Sequence, residues 1–358
     1  MGTIAEKLSR LAQTKTEIKA AIAAKGVAVP DADTFATYPA KIAAIPTGSA
    51  PEEPAIWKPC SDWIDIRANL PANGISLLVC DLAYRTPAFI CTTSSGTYAV
   101  DWGDGSPVEN FASGARAQHT YVKGAGQACI RGYTTFRINI TSPNLTRFYV
   151  TRSSVNSGNP ENWGLLWAII NAPTLTTLTN AFYNGNNVMA TMLEHCTICD
   201  LPSCTDMGQA LRGCSSLKEV IAGNMAALVS LYYAFLECIT IDHIAIGNCP
   251  KLTVATTVFN SCRTLIRVEL GQTPLLRDFT NVQGANILRA LVFDGCNFAA
   301  GAAAPIALNF SGLDAAALNA LFASLDTVTG KSITVTGSVG AASCNTSIAT
   351  AKGWTVVI

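Results

Sequence analysis

Charge is what this chain has least of. Its 358 residues include 24 Lys and Arg and 24 Asp and Glu, 13% in all, against about 25% in typical globular proteins. The formal net charge is zero, so there is no cationic footprint for nucleic acid or for an anionic membrane. Hydrophobic residues make up 49% and mean hydropathy is +0.29. Yet no run of about 18 apolar residues exists, so membrane insertion is not expected; the surplus apolar area is assigned to subunit contacts. Histidine is scarce too, with only His119, His195 and His243. No G-x-S-x-G elbow, Walker loop or H-E-x-x-H motif accompanies them. Asp242 and His243 are adjacent, which on a strand sends them to opposite faces. Glycoside cleavage would need paired carboxylates on a groove. Glu219, Glu237 and Glu269 do not share one repeat position and read as solvated surface. The expectation is a non-enzyme without cofactor.

Leader-like sequence is also missing from the start. TIAEKLSRLAQTKTEIKAAIAAKG is amphipathic and has no apolar core segment, and Glu6 stands where a myristoylation motif needs Ser or Thr. An unexported chain is expected. Its 13 cysteines, an odd number, then read as reduced thiols serving as small core residues. The sequons at Asn139, Asn144, Asn309 and Asn345 carry no weight in such a chain.

What the chain does have is a period of 24 residues. Cys214, Cys238 and Cys262 keep that step, and Asn286 takes the next. Leu228, Leu252 and Leu276 keep it, as do Leu217, Ile241 and Leu265, and Val220, Ile244 and Val268. A period of 20–29 marks a solenoid whose units bury their apolar faces only against neighbours. Such an array offers a broad surface, so binding is the default reading. The segments Ala210–Val220, Ala234–Ile244 and Val258–Val268 share the pattern apolar-x-x-Cys-x-x-Leu/Ile-x-x-Val/Ile. This resembles the BspA-like leucine-rich repeats of bacterial surface proteins and phage tail proteins, over roughly 100–150 residues. The resemblance implies a right-handed solenoid with an interaction role. Cys214, Cys238, Cys262, Leu217, Ile241 and Leu265 are the expected repeat core.

Upstream, ISLLVCDL, AFICTT, TYAVDWG, QACIRGY and FRINI are short β-forming runs split by Gly, Pro and Asn, the pattern of a small antiparallel sandwich. Within it, Asp101-Trp102-Gly103-Asp104-Gly105 followed by His119 and Tyr121 resembles a PKD-type immunoglobulin-like domain. Asp-Gly supplies a tight turn; a calcium loop is the alternative, but the alternating ligands of an EF-hand are missing.

At the N-terminus, Thr3 and Glu6 have capping-box spacing. Ile4, Leu8, Leu11, Lys15, Ile18 and Ile22 follow at the a/d steps of a coiled coil, and Gly26 closes the helix. A lone helix of this length is marginal in water. Its partners are either other subunits, a trimer being favoured, or FATYPAKIAAI folding back through Phe35, Tyr38, Ile42 and Ile45. This start is similar to that of many phage tail and tail-fibre proteins.

The fold expected is therefore multidomain α+β: an attachment or oligomerisation segment (1–45), a Pro-rich linker (46–60), a PKD-like sandwich (61–142), a leucine-rich solenoid (143–300) whose residues 143–176 form the entry cap and first, irregular turn, and a C-terminal cap (301–358). In that cap Leu318, Leu321, Phe322 and Leu325 share a helical face. The resemblances together imply a tail fibre or baseplate-attached virion protein. It would join other tail or baseplate proteins through its N-terminal segment and bind a host-surface glycan or protein through the repeats. A BspA-like bacterial surface adhesin is the alternative. Tyr183, Arg212, Tyr232, Tyr233, Asn260 and Arg263 are the candidate contacts, since aromatic and Arg side chains dominate binding hot spots. His195-Cys196-x-x-Cys199 with Cys204 admits a metal or buried thiols; the reading taken is thiols, because Cys204 shares a repeat slot with Leu228.

Overall fold

The computed structural model describes residues 3–23, 27, 29–30, 32–43, 57–82, 86–153, 164–184, 188–276, 285, 288, 290–293, 306–307, 311–325 and 327–358. The chain divides into two compact units, Met1–Glu52 and Glu53–Ile358.

In the first unit, helix α1 (Ile4–Ala23) is followed by a 3-10 turn (Phe35–Thr37) and helix α2 (Tyr38–Ala43). Ile22, Val29 and Tyr38 form a small buried cluster with Ile18 and Val27 packed on it. Of the stripe expected to oligomerise, Ile18 and Ile22 are thus used inside the unit, beneath the fold-back segment. Leu11 is 54% exposed. The side chains of Ile4, Leu8 and Ile42 lie outside the described residues, as do Gly26 and Ile45.

The second unit is mostly β. Nine strands come first: β1 (Gly74–Cys80), β2 (Ala88–Thr93), β3 (Thr97–Asp101), β4 (Glu109–Ala112), β5 (Arg116–Gln118), β6 (Gln127–Ala128), β7 (Thr134–Thr141), β8 (Leu145–Val150) and β9 (Gly164–Asn171). A two-strand hairpin, β10 (Tyr183–Asn184) and β11 (Val188–Met189), precedes the solenoid strands β12 (His195–Ile198), β13 (Glu219–Ala222), β14 (His243–Ile246), β15 (Arg267–Leu270) and β16 (Ala290–Phe293). The chain ends with β17 (Ile306–Ala307), α3 (Ala315–Ser324), β18 (Lys331–Thr334), α4 (Ser347–Thr350) and β19 (Trp354–Val357).

One 11-stranded sheet runs β16-β15-β14-β13-β12-β9-β1-β7-β3-β4, with β6 beside β7. From β9 to β16 the pairing is parallel, which makes a β-solenoid of about six turns. A second ladder, Arg147–Thr177–Asp206–Ser230–Val254, continues from β8, itself part of the sheet β5-β2-β8. Both layers of the antiparallel region therefore run on into the solenoid around one core.

This changes the expected boundaries. The division at 142/143 is crossed by β1–β9 and β2–β8 pairing, because backbone donors on the sheet edges find their partners in the next segment. β8 and β9 supply one strand to each layer, and β9, parallel to β12, is the first strand of the solenoid. The division at 300/301 is also bridged: Leu313, Leu318, Leu321 and Phe322 share the core with Leu288 and Leu291. The linker expected over 46–60 ends earlier, since Trp57 and Cys60 pack against a second core on the outer face of the sheet; its residues 46–56 lie outside the described residues, as does Asn286. Of QACIRGY only Gln127–Ala128 is strand, and Cys129–Gly132 turns, with Gly132 N–H bonded to Cys129 O.

The 24-residue period is the spacing of the strand starts His195, Glu219, His243 and Arg267, which are direct register partners. Cys214, Cys238, Cys262, Leu217, Ile241 and Leu265 are fully buried. The Cys238 and Cys262 thiols lie 3.1 and 3.2 Å from carbonyls of the preceding turn, Leu211 O and Phe235 O.

Candidate functional site

Each solenoid strand has four residues, and alternation sends the second and fourth inward. Cys196, Val220, Ile244 and Val268 fill the core. The first and third therefore face out, and parallel register stacks equivalent positions one strand spacing apart. His195, Glu219, His243 and Arg267 form one outward row; Thr197, Ile221, Ala245 and Glu269 form the next.

Glu219 sits in the middle of the first row with a side chain only 10% exposed. His195 Nδ1 lies 3.2 Å from its Oε2 and His243 Nδ1 3.0 Å from its Oε1. Burial alone would raise this carboxyl. The two imidazoles outweigh it and hold the group at about 2. His243 Nε2 faces Glu269 at 3.4 Å, and Arg267 donates to the same carboxylate. Glu269 is also held low: burial opposes ionisation, and Arg267 and His243 overcome it. His195 Nε2 pairs with the Thr197 hydroxyl at 2.9 Å.

The row is closed at one end by aromatic rings. Trp57 stacks on His195 with centroids 4.4 Å apart, and Trp167 meets both edge-on. Arg67 lies over Trp167, and Arg131 lies over Trp63 while pairing with Glu194. At the other end, Glu269 borders a shallow groove of about 320 Å³ with Ala245, Asn224, Asn248, Gly247 and Gly271. Its floor is a side-chain ladder. Asp200 accepts from Asn224 N–H, Asn224 from Asn248 N–H, and Asn248 from Gln272 N–H. The preceding glycines fit because a Cβ at Gly247 would stand 2.8 Å from Gly223 backbone.

The expected contact residues fall elsewhere. Arg212 lies 4.8 Å over the Tyr183 ring, donates to Gln209 and stands 3.6 Å from the Glu237 carboxylate. Tyr232, 41% exposed, has its ring 4.0 Å from that of Tyr233. Asn260 takes Glu237 N–H on its carbonyl and the Ser261 hydroxyl on its side chain. Arg263 is exposed on the turn leading into β15. The structure thus joins Tyr183 to Arg212 and Tyr232 to Tyr233, and leaves Arg263 on a different turn.

Sequence reasoning missed the outward row and placed Glu219 on solvated surface. That is corrected: Glu219 is 7% exposed and held by two imidazoles. The signal was present, since polar residues recur at 195, 219, 243 and 267 in the repeat step. No local pattern places Trp57 on His195. The suspected His195–Cys196–Cys199–Cys204 cluster does not converge. Cys196 and Cys204 are buried in the core, and burial raises the Cys204 thiol to about 11. In the DWGDG turn, Asp101 and Asp104 accept from Gly103 and Ser106 N–H. His119 Nε2 meets Asp104 at 2.7 Å and stacks on Trp102, whose carbonyl takes the Tyr121 hydroxyl. Both aspartates act as turn acceptors.

Fold and site together define a β-solenoid protein with a paired His–Glu–Arg row on the outer face of its sheet. Compared with protein-family models, curated proteins and solved structures, the chain matches none.

Proposed function

We propose that this chain is a virion structural protein of a phage tail, a tail fibre or baseplate-attached component, which binds a host-surface receptor through its solenoid without catalysis. In this reading the antiparallel region is a PKD-type immunoglobulin-like module, the solenoid a BspA-like leucine-rich array with covered ends, and the N-terminal unit the attachment or trimerisation point. The DWGDG turn with its His119 and Tyr121 anchors supports the module assignment. The observation that carries the binding role is the outward row from Trp57 through His195, Glu219, His243 and Arg267 to the groove beside Glu269. Its imidazoles, carboxylates and guanidinium stand within ion-pair distance of one another, which suits a rigid recognition face. An aromatic face beside a dense set of donors and acceptors matches the hydroxyl-rich surface of a glycan. Among the described residues, no helix is long and apolar enough to cross a membrane.

The test is binding of the full chain to an array of purified bacterial surface polysaccharides and to intact cells. Arg267→Ala combined with Glu269→Ala is expected to weaken binding about tenfold or more, corresponding to about 1.4 kcal/mol, with unchanged circular dichroism. Tyr232→Ala combined with Arg212→Ala tests the Tyr232–Tyr233 and Tyr183–Arg212 pairs in the same assay. If the folded wild type binds nothing, or if neither pair weakens binding, the receptor role is wrong.

A further inference from the structure

Cys60, Asp62 and Cys129 place two thiols and a carboxylate within 4.8 Å of one another. Two tight turns bring them there. Trp63 N–H bonds to Cys60 O, and Gly132 N–H bonds to Cys129 O, so each cysteine opens its own turn. The Cys129 sulfur lies 3.5 Å from Asp62 Oδ1. A tetrahedral zinc with bonds of about 2.3 Å to sulfur and about 2.0 Å to oxygen has a sulfur–oxygen edge of about 3.5 Å. Arg131 N–H, two residues past Cys129, points to the Cys129 sulfur at 3.4 Å. Such a bond steadies a metal-bound thiolate. Ile130 N–H holds the second Asp62 oxygen, which leaves Oδ1 facing the thiols.

We propose that Cys60, Asp62 and Cys129 bind a thiophilic divalent cation such as zinc, with water in the fourth position. Both thiols release their protons to solvent as they bind. Water reaches the site because Cys60 and Asp62 are half-buried. The consequence is mechanical. Cys60 and Asp62 belong to the strap that carries Trp57 and Trp63 over the outer face of the sheet, while Cys129 belongs to the turn between β6 and β7. The cation would pin that strap, and with it the ring that stacks on His195. This inference stands independently of the receptor reading.

The experiment uses the full chain, purified under reducing conditions and incubated with Zn²⁺ or Co²⁺. One equivalent of zinc per chain is expected, and the cobalt form should show thiolate-to-metal charge-transfer absorption. Cys60→Ser and Cys129→Ser should each reduce zinc binding more than tenfold, whereas Cys199→Ser should retain it. X-ray absorption on the wild-type zinc form provides a readout that needs no variant, and two sulfur neighbours are expected. Removing the zinc should shift tryptophan emission as Trp57 is released. Folded wild-type protein that takes up no zinc, a zinc shell without sulfur, or a Cys60–Cys129 disulfide in the reduced preparation would each overturn the proposal.

Discussion

At the scale of single residues, the buried carboxylate of Glu219 makes stability depend on acid. Its folded value is about 2, against an ordinary 4.5. A depressed carboxyl contributes stability that is full above the unfolded value and is lost as pH falls from about 4.5 towards 2; a difference of this size corresponds to about 3 kcal/mol. Asp104, also held at about 2 by the Ser106 and His119 hydrogen bonds against the effect of burial, adds to the same acid limb. Denaturation followed between pH 5 and 2 should therefore be steep for the wild type, flatter for Glu219→Gln, and flatter again with Asp104→Asn added. Equal slopes for all three would mean that the imidazole pairing does not stabilise the carboxylate. Little of this was legible beforehand. The spacing of 195, 219 and 243 was there to be read, but the depth at which Glu219 sits is set by the parallel sheet.

At the scale of the repeat, the backbone carries a second regularity that the apolar pattern does not show. Gln209, Tyr233 and Thr257 have φ between 57° and 58°, and Gly213, Glu237 and Ser261 have φ between 64° and 70°. Each of these three turns thus bends twice through the left-handed region, which costs an L residue about 1–2 kcal/mol. Of the three, the first fills its second bend with glycine. Ser261→Gly and Glu237→Gly are expected to leave stability unchanged or raise it by up to about 1 kcal/mol, and Gly213→Ala to lower it by about 1 kcal/mol or more. Urea denaturation decides this, and a stabilising Gly213→Ala would refute the account. In the ladder below the groove, Asn248→Ala leaves the Gln272 N–H without its acceptor. A loss of about 1 kcal/mol is expected in the same measurement. Sequence periodicity located these repeats to the residue. It could not reveal the bends, because Tyr, Gln, Glu and Thr have no local preference for positive φ and adopt it only where stacked turns fix the chain.

At the scale of the molecule, the continuous sheet governs how the protein divides. A fragment of residues 143–358 would lose β1, which pairs with β9, and β2, which pairs with β8. It would expose both edges, and edges of this kind aggregate. Such a fragment is expected to be unfolded or aggregated, whereas residues 53–358 unfold in a single transition; a well-folded 143–358 fragment would show that the solenoid stands alone. For the first unit, light scattering is the check. With Leu11 exposed on α1, the full chain is expected to be a trimer and a version lacking residues 1–52 a monomer. Equal subunit numbers in both would confine the helix stripe to packing within its own unit.

The sequence by itself determined the period, the buried cysteine and leucine columns, the tight DWGDG turn and the amphipathic first helix, because each depends on residues close together or at a fixed step. The tertiary structure alone decided where the modules join, which polar residues share the outer face, and that Trp57, His195 and the Cys60–Asp62–Cys129 group meet. Those meetings join segments far apart in the chain, and their positions follow from parallel register and from one core shared by both layers, which no local pattern of residue types encodes.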